Sequence, residues 1–122
     1  MAWGTEQSDT QQTAINNTTE EFGGTITLLP GELLSGYVLA DNEHASTVTD
    51  ALRISFYIST DDGTTWSEEP ILRFTYLPPT VSVNRVPVSV SGHKTIRIGY
   101  LSTGATNTYT AQLKYKLDGV SL

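Results

Sequence analysis

Residues 52–66 constrain the fold of this chain most. Leu52, Ile54, Phe56 and Ile58 alternate with Arg53, Ser55, Tyr57 and Ser59. A period of two buries one face of an extended strand; a helix would need apolar positions every three or four residues. The run ends in Thr60-Asp61-Asp62-Gly63. Asp-Gly favours a tight turn, because glycine accepts a positive φ and an aspartate side chain accepts hydrogen bonds from nearby amides. Trp66 follows at the expected start of a returning strand, with a ring large enough to cover the hairpin base. Ser59, Asp61, Gly63 and Trp66 are therefore expected to form a self-bracing turn that is structural in role.

The same period recurs along the chain. Thr25-Ile26-Thr27-Leu28 alternates, and Pro30-Gly31-Glu32 turns the chain. Leu33 to Ala40 reads as a strand in which Gly36 marks a bulge or a close approach. Trp66 to Leu77 returns from the hairpin, and Pro78-Pro79 ends it. Val81 and Val83 fall out of phase with Val86, Val88 and Val90, which predicts a bend near Asn84-Arg85. Pro87 marks that run as an edge strand. Ile96, Ile98 and Tyr100 form another strand, and Tyr109, Ala111, Leu113, Tyr115 and Leu117 share one face of the last.

This pattern predicts an all-β, single-domain antiparallel β-sandwich of about seven to eight strands, immunoglobulin-like or jelly-roll in topology. The first stretch differs. Residues 1–21 are polar and aperiodic, with Trp3 and Ile15 as isolated apolar residues. They read as an extended N-terminal arm preceding a sandwich domain over 22–122. On that reading Trp3 and Ile15 are candidate contacts with a neighbouring molecule, as are Val86 and Val88 on the edge strand.

Composition narrows the chemistry. The chain has 122 residues, no cysteine, seven Lys and Arg, and a formal net charge of −6. Disulfides and zinc-thiolate sites are thereby excluded. The acidic balance argues against nucleic-acid binding, which needs a basic face to displace counterions. No apolar run is long enough for a membrane-spanning helix, and the first residues do not read as a secretory signal.

No pattern points to catalysis. His44 sits in a polar loop and His93 in a glycine-containing turn, neither beside a nucleophile motif. The pairs Glu20-Glu21, Asp61-Asp62 and Glu68-Glu69 are adjacent in sequence, so on a strand their side chains diverge. Asp61 and Asp62 lack the repeated acidic spacing of a calcium loop. The expectation is a protein with no enzymatic activity, cofactor or metal. Tyr37, Tyr57, Tyr76 and Trp66 are candidates for stacking on a carbohydrate, if exposed.

The spacing Ser59-x-Asp61-x-Gly63-x-Thr65-Trp66 resembles the Asp-box, a β-hairpin motif of sialidases and of many other β-rich secreted or phage proteins. In those families it lies away from the catalytic centre, which implies a structural role here. Its single copy in so short a chain is not a propeller, where it repeats from blade to blade. More broadly, the opening Met1 to Thr5, the turn Leu28 to Glu32 and the hairpin Tyr57 to Trp66 resemble those of small tailed-phage virion proteins. That resemblance implies a non-enzymatic virion component assembled in a bacterial cytoplasm, foremost a capsid decoration (cement) protein. Its implied partners are the major capsid protein and copies of itself, with the arm clamping neighbours. Removing residues 1–21 is then expected to weaken particle binding and leave the sandwich folded. A carbohydrate-binding or host-adhesion module, and a head–tail or tail component, are the alternatives.

Overall fold

The structure, a computed structural model, describes residues 6–29, 31–42, 49–78, 84–91, 95–104 and 107–118. Among these there is no helix. The strands are β1 (Gln7–Ser8), β2 (Gln12–Ile15), β3 (Glu21–Phe22), β4 (Ile26–Thr27), β5 (Leu33–Asn42), β6 (Leu52–Ser59), β7 (Leu72–Tyr76), β8 (Asn84–Ser91), β9 (Thr95–Ser102) and β10 (Tyr109–Asp118). They make two five-stranded antiparallel sheets, as a β-sandwich requires.

The first sheet runs β1-β10-β5-β8, with β2 also on β10; the second runs β3-β9-β6-β7, with β4 also on β9. Taking β1 with β2, and β3 with β4, as single broken strands leaves eight. Their spatial orders are then 1-8-3-6 and 2-7-4-5, the two interleaved Greek keys of a jelly roll. Strand order thus chooses the jelly roll over the immunoglobulin-like alternative. The extra strands beyond seven or eight are the short pieces of residues 7–27.

The alternation read from sequence is the alternation that buries. Leu52, Ile54 and Phe56 of β6 face Leu34, Val38, Val86, Val88 and Leu113 of the opposite sheet within one core. Each fully buried side chain of this size stabilises the fold by roughly 1.5–3 kcal/mol. Gly36 sits in this packing for want of space: a Cβ there would lie 2.0 Å from the Lys114 carbonyl oxygen and 2.7 Å from the Tyr115 Cα. Close approach of β5 and β10, and not a bulge, explains it; their register is continuous from Leu33 to Asn42.

Residues 6–21, the described part of the expected extended N-terminal arm over 1–21, correct the view of that arm as separate from the sandwich. Gln7 and Ser8 pair with Tyr115 and Lys114 of β10, and Glu21 and Phe22 pair with Tyr100 and Gly99 of β9. Ile15 has no exposed surface and belongs to the core, so it is not a contact for a partner. Cutting at residue 21 would strip a core side chain and the pairing of β1 and β2 with β10, so it is expected to destabilise the sandwich. Paired pieces of two to four residues are too short to show a period, so the sequence there looks aperiodic. Trp3 lies outside the described residues, as do Val81 and Val83.

Candidate functional site

The hairpin loop between β6 and β7 closes as its sequence predicts. Asp62 and Gly63 both have positive φ, 58° and 94°, as the two central residues of a type I′ turn require. The Gly63 amide donates to Ser59 Oγ at 2.8 Å, and the Ser59 hydroxyl donates to Asp61 Oδ1 at 2.7 Å. The Thr65 amide donates to the same carboxylate at 2.8 Å, and the Thr65 hydroxyl to Asp61 Oδ2. These bonds hold the Asp61 carboxyl down at about 2, against an ordinary 3.8, with Thr65 the main cause. Asp61 is committed to its own loop.

Trp66 lies elsewhere than over the core. The return from the turn is irregular through Ile71, and β7 starts only at Leu72. Half-buried Trp66 covers the outer face of the second sheet, with the Arg97 guanidinium 4.6 Å from its ring centre. The same guanidinium stands 3.8 Å from the Phe22 ring, so Arg97 is held between two aromatic faces. Burial there lowers the Arg97 pKa, and Glu20 and Tyr57 oppose the shift. Phe22 meets Tyr57 edge-on at 5.7 Å. The Tyr57 hydroxyl donates to Glu20 at 2.8 Å and accepts from Arg73 at 3.1 Å; Arg73 also donates to Ser55 at 2.9 Å. A lid of paired aromatic and charged side chains therefore seals this face.

That lid changes the reading of the aromatic residues. Tyr57 is only 6% exposed and offers no stacking platform. Tyr76 is half-buried against the core. Tyr37, on the outer face of the first sheet, has Arg85 4.9 Å from its ring centre and its hydroxyl on Glu6 at 3.2 Å. Beside it lies an open groove of about 280 Å³, lined by Glu6, Ser35, Tyr37, Lys114, Lys116 and Asp118 among others. Its charges are mixed and its floor is shared by β5 and β10.

The edges differ from the faces. Among the described residues β8 pairs with β5 alone, which makes it an edge strand as Pro87 foretells. Pro87 is tolerated opposite Tyr37 because its missing N–H would face away from β5. The same feature removes a donor from the middle of the outward edge and blunts strand addition there. Val86 and Val88 point inward, 4% and 7% exposed, so their side chains are core and not partner contacts. On the same side of the sandwich β7 is the edge of the second sheet, with Leu72 exposed at its start and Leu77 exposed just after it.

At the opposite end from the hairpin, loops are welded by buried Asn107. Its Oδ1 accepts from the Thr49 amide at 2.8 Å and the Asp50 amide at 2.9 Å, while its backbone N–H donates to Asp50 Oδ2 at 2.7 Å. The Tyr109 hydroxyl donates to the Asp50 carbonyl. Sequence reading missed this knot, as it missed Glu20, Phe22, Arg73 and Arg97; partners as far apart as Asp50 and Tyr109 or Phe22 and Arg97 leave no local signature. Among the described residues no three His, Cys, Asp or Glu side chains gather as a metal site. His44 and His93 lie outside the described residues.

No family model matches this sequence, and no curated protein matches it closely enough to count as a relative.

Proposed function

We propose that this chain is a non-enzymatic structural protein of a tailed-phage virion, bound to the outer shell as a capsid decoration protein. The observation that carries this reading is a compact jelly roll whose second sheet is roofed by its own paired side chains, from Phe22 to Arg97. Contact with other molecules then falls to strand edges, loop ends and the outer face of the first sheet, as suits a block set among neighbours. Jelly rolls recur in capsid domains and in lectins, so the fold alone does not choose between them. The likeness of the opening, the Leu28 to Glu32 turn and the hairpin to small virion proteins favours the first. An acidic chain with a net charge of −6 also stays soluble at the high local concentration of a shell.

Mapping and counting the protein on an intact particle tests the reading. A decoration protein is expected on the outer shell in copies on the order of hundreds, set by the shell's symmetry. A ring of about a dozen copies at the neck or tail would replace it with a head–tail role. Absence from the particle would overturn both.

A further inference from the structure

We propose that residues 6–28 form an exchangeable strap, and that a second copy of this chain can lay the same segment along β9 and β10 to give a two-fold, strap-swapped dimer. This supplies a surface and a geometry for the self-association within the reading above. It is tested on isolated protein, so its failure is separate from any failure of particle binding.

On one side of the sandwich, this segment alone among the described residues forms the outer edge of both sheets: β1 and β2 on β10, β3 and β4 on β9. Its hold is broken into pieces of two, four, two and two residues, against eight to ten in the strands it covers. The register slips between Tyr109 and Ala111 opposite β2, where Ala14 is forced to a φ of 53°. That left-handed conformation is unfavourable for a residue with a Cβ. Asp9 is buried, and its Oδ2 has no hydrogen-bond donor among the described residues. The segment is thus a loosely held edge beside the long strands it covers.

What the edge accepts is equally specific. Ile15 and Leu28 are core plugs, 0% and 3% exposed. Asp9 Oδ1 ties the two halves of the strap together through the Gly24 amide at 2.9 Å, and the Asp9 amide docks on the Leu113 carbonyl at 2.9 Å. An identical copy carries every one of these features. The hinge is the turn before β5, where the Glu32 amide donates to the Leu29 carbonyl at 3.0 Å and exposed Leu29 donates back to the Glu32 carboxylate at 2.5 Å. Opening that turn breaks local bonds, while the strap's own contacts are remade on the other copy, so concentration and hinge length govern the exchange.

The absence of native cysteine makes the test clean. Ser8 and Lys114 are directly opposite in register, so cysteines there stand within disulfide reach across the strap. Separately purified Ser8→Cys and mass-tagged Lys114→Cys chains are mixed at high concentration and oxidised. The expected product is a disulfide-linked heterodimer, more abundant than that of Ser8→Cys with Ser89→Cys on the remote β8 edge. Deleting Gly31 to shorten the hinge is expected to raise the yield further. A heterodimer yield no greater than the Ser89→Cys control, with or without the deletion, overturns the proposal.

Discussion

At the scale of single residues, the hairpin shows how a short polar motif becomes rigid. Ser59 is an acceptor for Gly63 and a donor to Asp61, and Asp61 in turn receives both the amide and the hydroxyl of Thr65. The carboxylate is the form that accepts these bonds, which is why its pKa falls to about 2. A depressed carboxyl pKa means the folded state releases the proton more readily than the unfolded chain. Its stabilising contribution is therefore present above the ordinary value of 3.8 and lost as the pH falls toward 2. Asp61→Ala is expected to lower the thermal midpoint at pH 7 relative to the parent chain. Thermal melts from pH 7 down to pH 2 should show that gap closing; a gap independent of pH would mean the carboxylate charge is not what braces the turn.

At the scale of elements, the short N-terminal strands and the long ones follow different rules. β5, β6, β9 and β10 are each specified by their own alternation, because eight to ten residues are enough to present one apolar face. β1 to β3 have no such internal signal, and β4 has only the short alternation of Thr25 to Leu28; all four complete the edges that β9 and β10 would otherwise leave open. Ile15 measures how firmly that borrowed structure is part of the core. Ile15→Ala is expected to cost about 2–5 kcal/mol of unfolding free energy, the range for emptying a closed apolar site. Urea denaturation reads it directly. A loss within about 0.5 kcal/mol, typical of exposed positions, would restore the view of this segment as a detached arm.

At the scale of the whole molecule, three tyrosines at the sandwich interior and its ends set an alkaline limit. Burial raises Tyr109 from 10.0 to about 12, with the charge of Asp50 adding to the effect. Burial also pushes Tyr100 and Tyr115 up, with Asp9 acting on both. A raised tyrosine pKa means the unfolded chain ionises first. Stability is then complete below pH 10 and lost as the pH rises through about 12 for Tyr109, with Tyr100 acting in the same direction. Urea midpoints are expected to be flat up to about pH 10 and to fall steeply above it. The buried Tyr100 hydroxyl makes no more than a weak contact with the Leu113 backbone, so Tyr100→Phe should cost little at pH 7 and soften the alkaline fall. An unchanged alkaline profile in that variant would assign the limit to other groups.

Much of this architecture is legible before folding. The alternation of Leu52 to Ile58 and of Tyr109 to Leu117, the Asp62-Gly63 turn and the edge character of Pro87 are local facts of backbone sterics and burial, and these stretches carry them in their own residues. The roof over the second sheet and the knot at Asn107 are not legible in that way. They join Phe22 to Arg97 and Asp50 to Tyr109, and their energies depend on groups brought together only by the pairing of β3, β6 and β9 or by the meeting of distant loops. The sequence by itself determined that this protein is β-structured, where its long strands lie and which faces they bury, because side-chain period is a property of consecutive residues. Only the tertiary structure decided the jelly-roll order, the burial of Ile15 and the inward turn of Val86 and Val88. Each of those depends on which strand lies alongside, and a neighbour in space is set by packing across the whole chain.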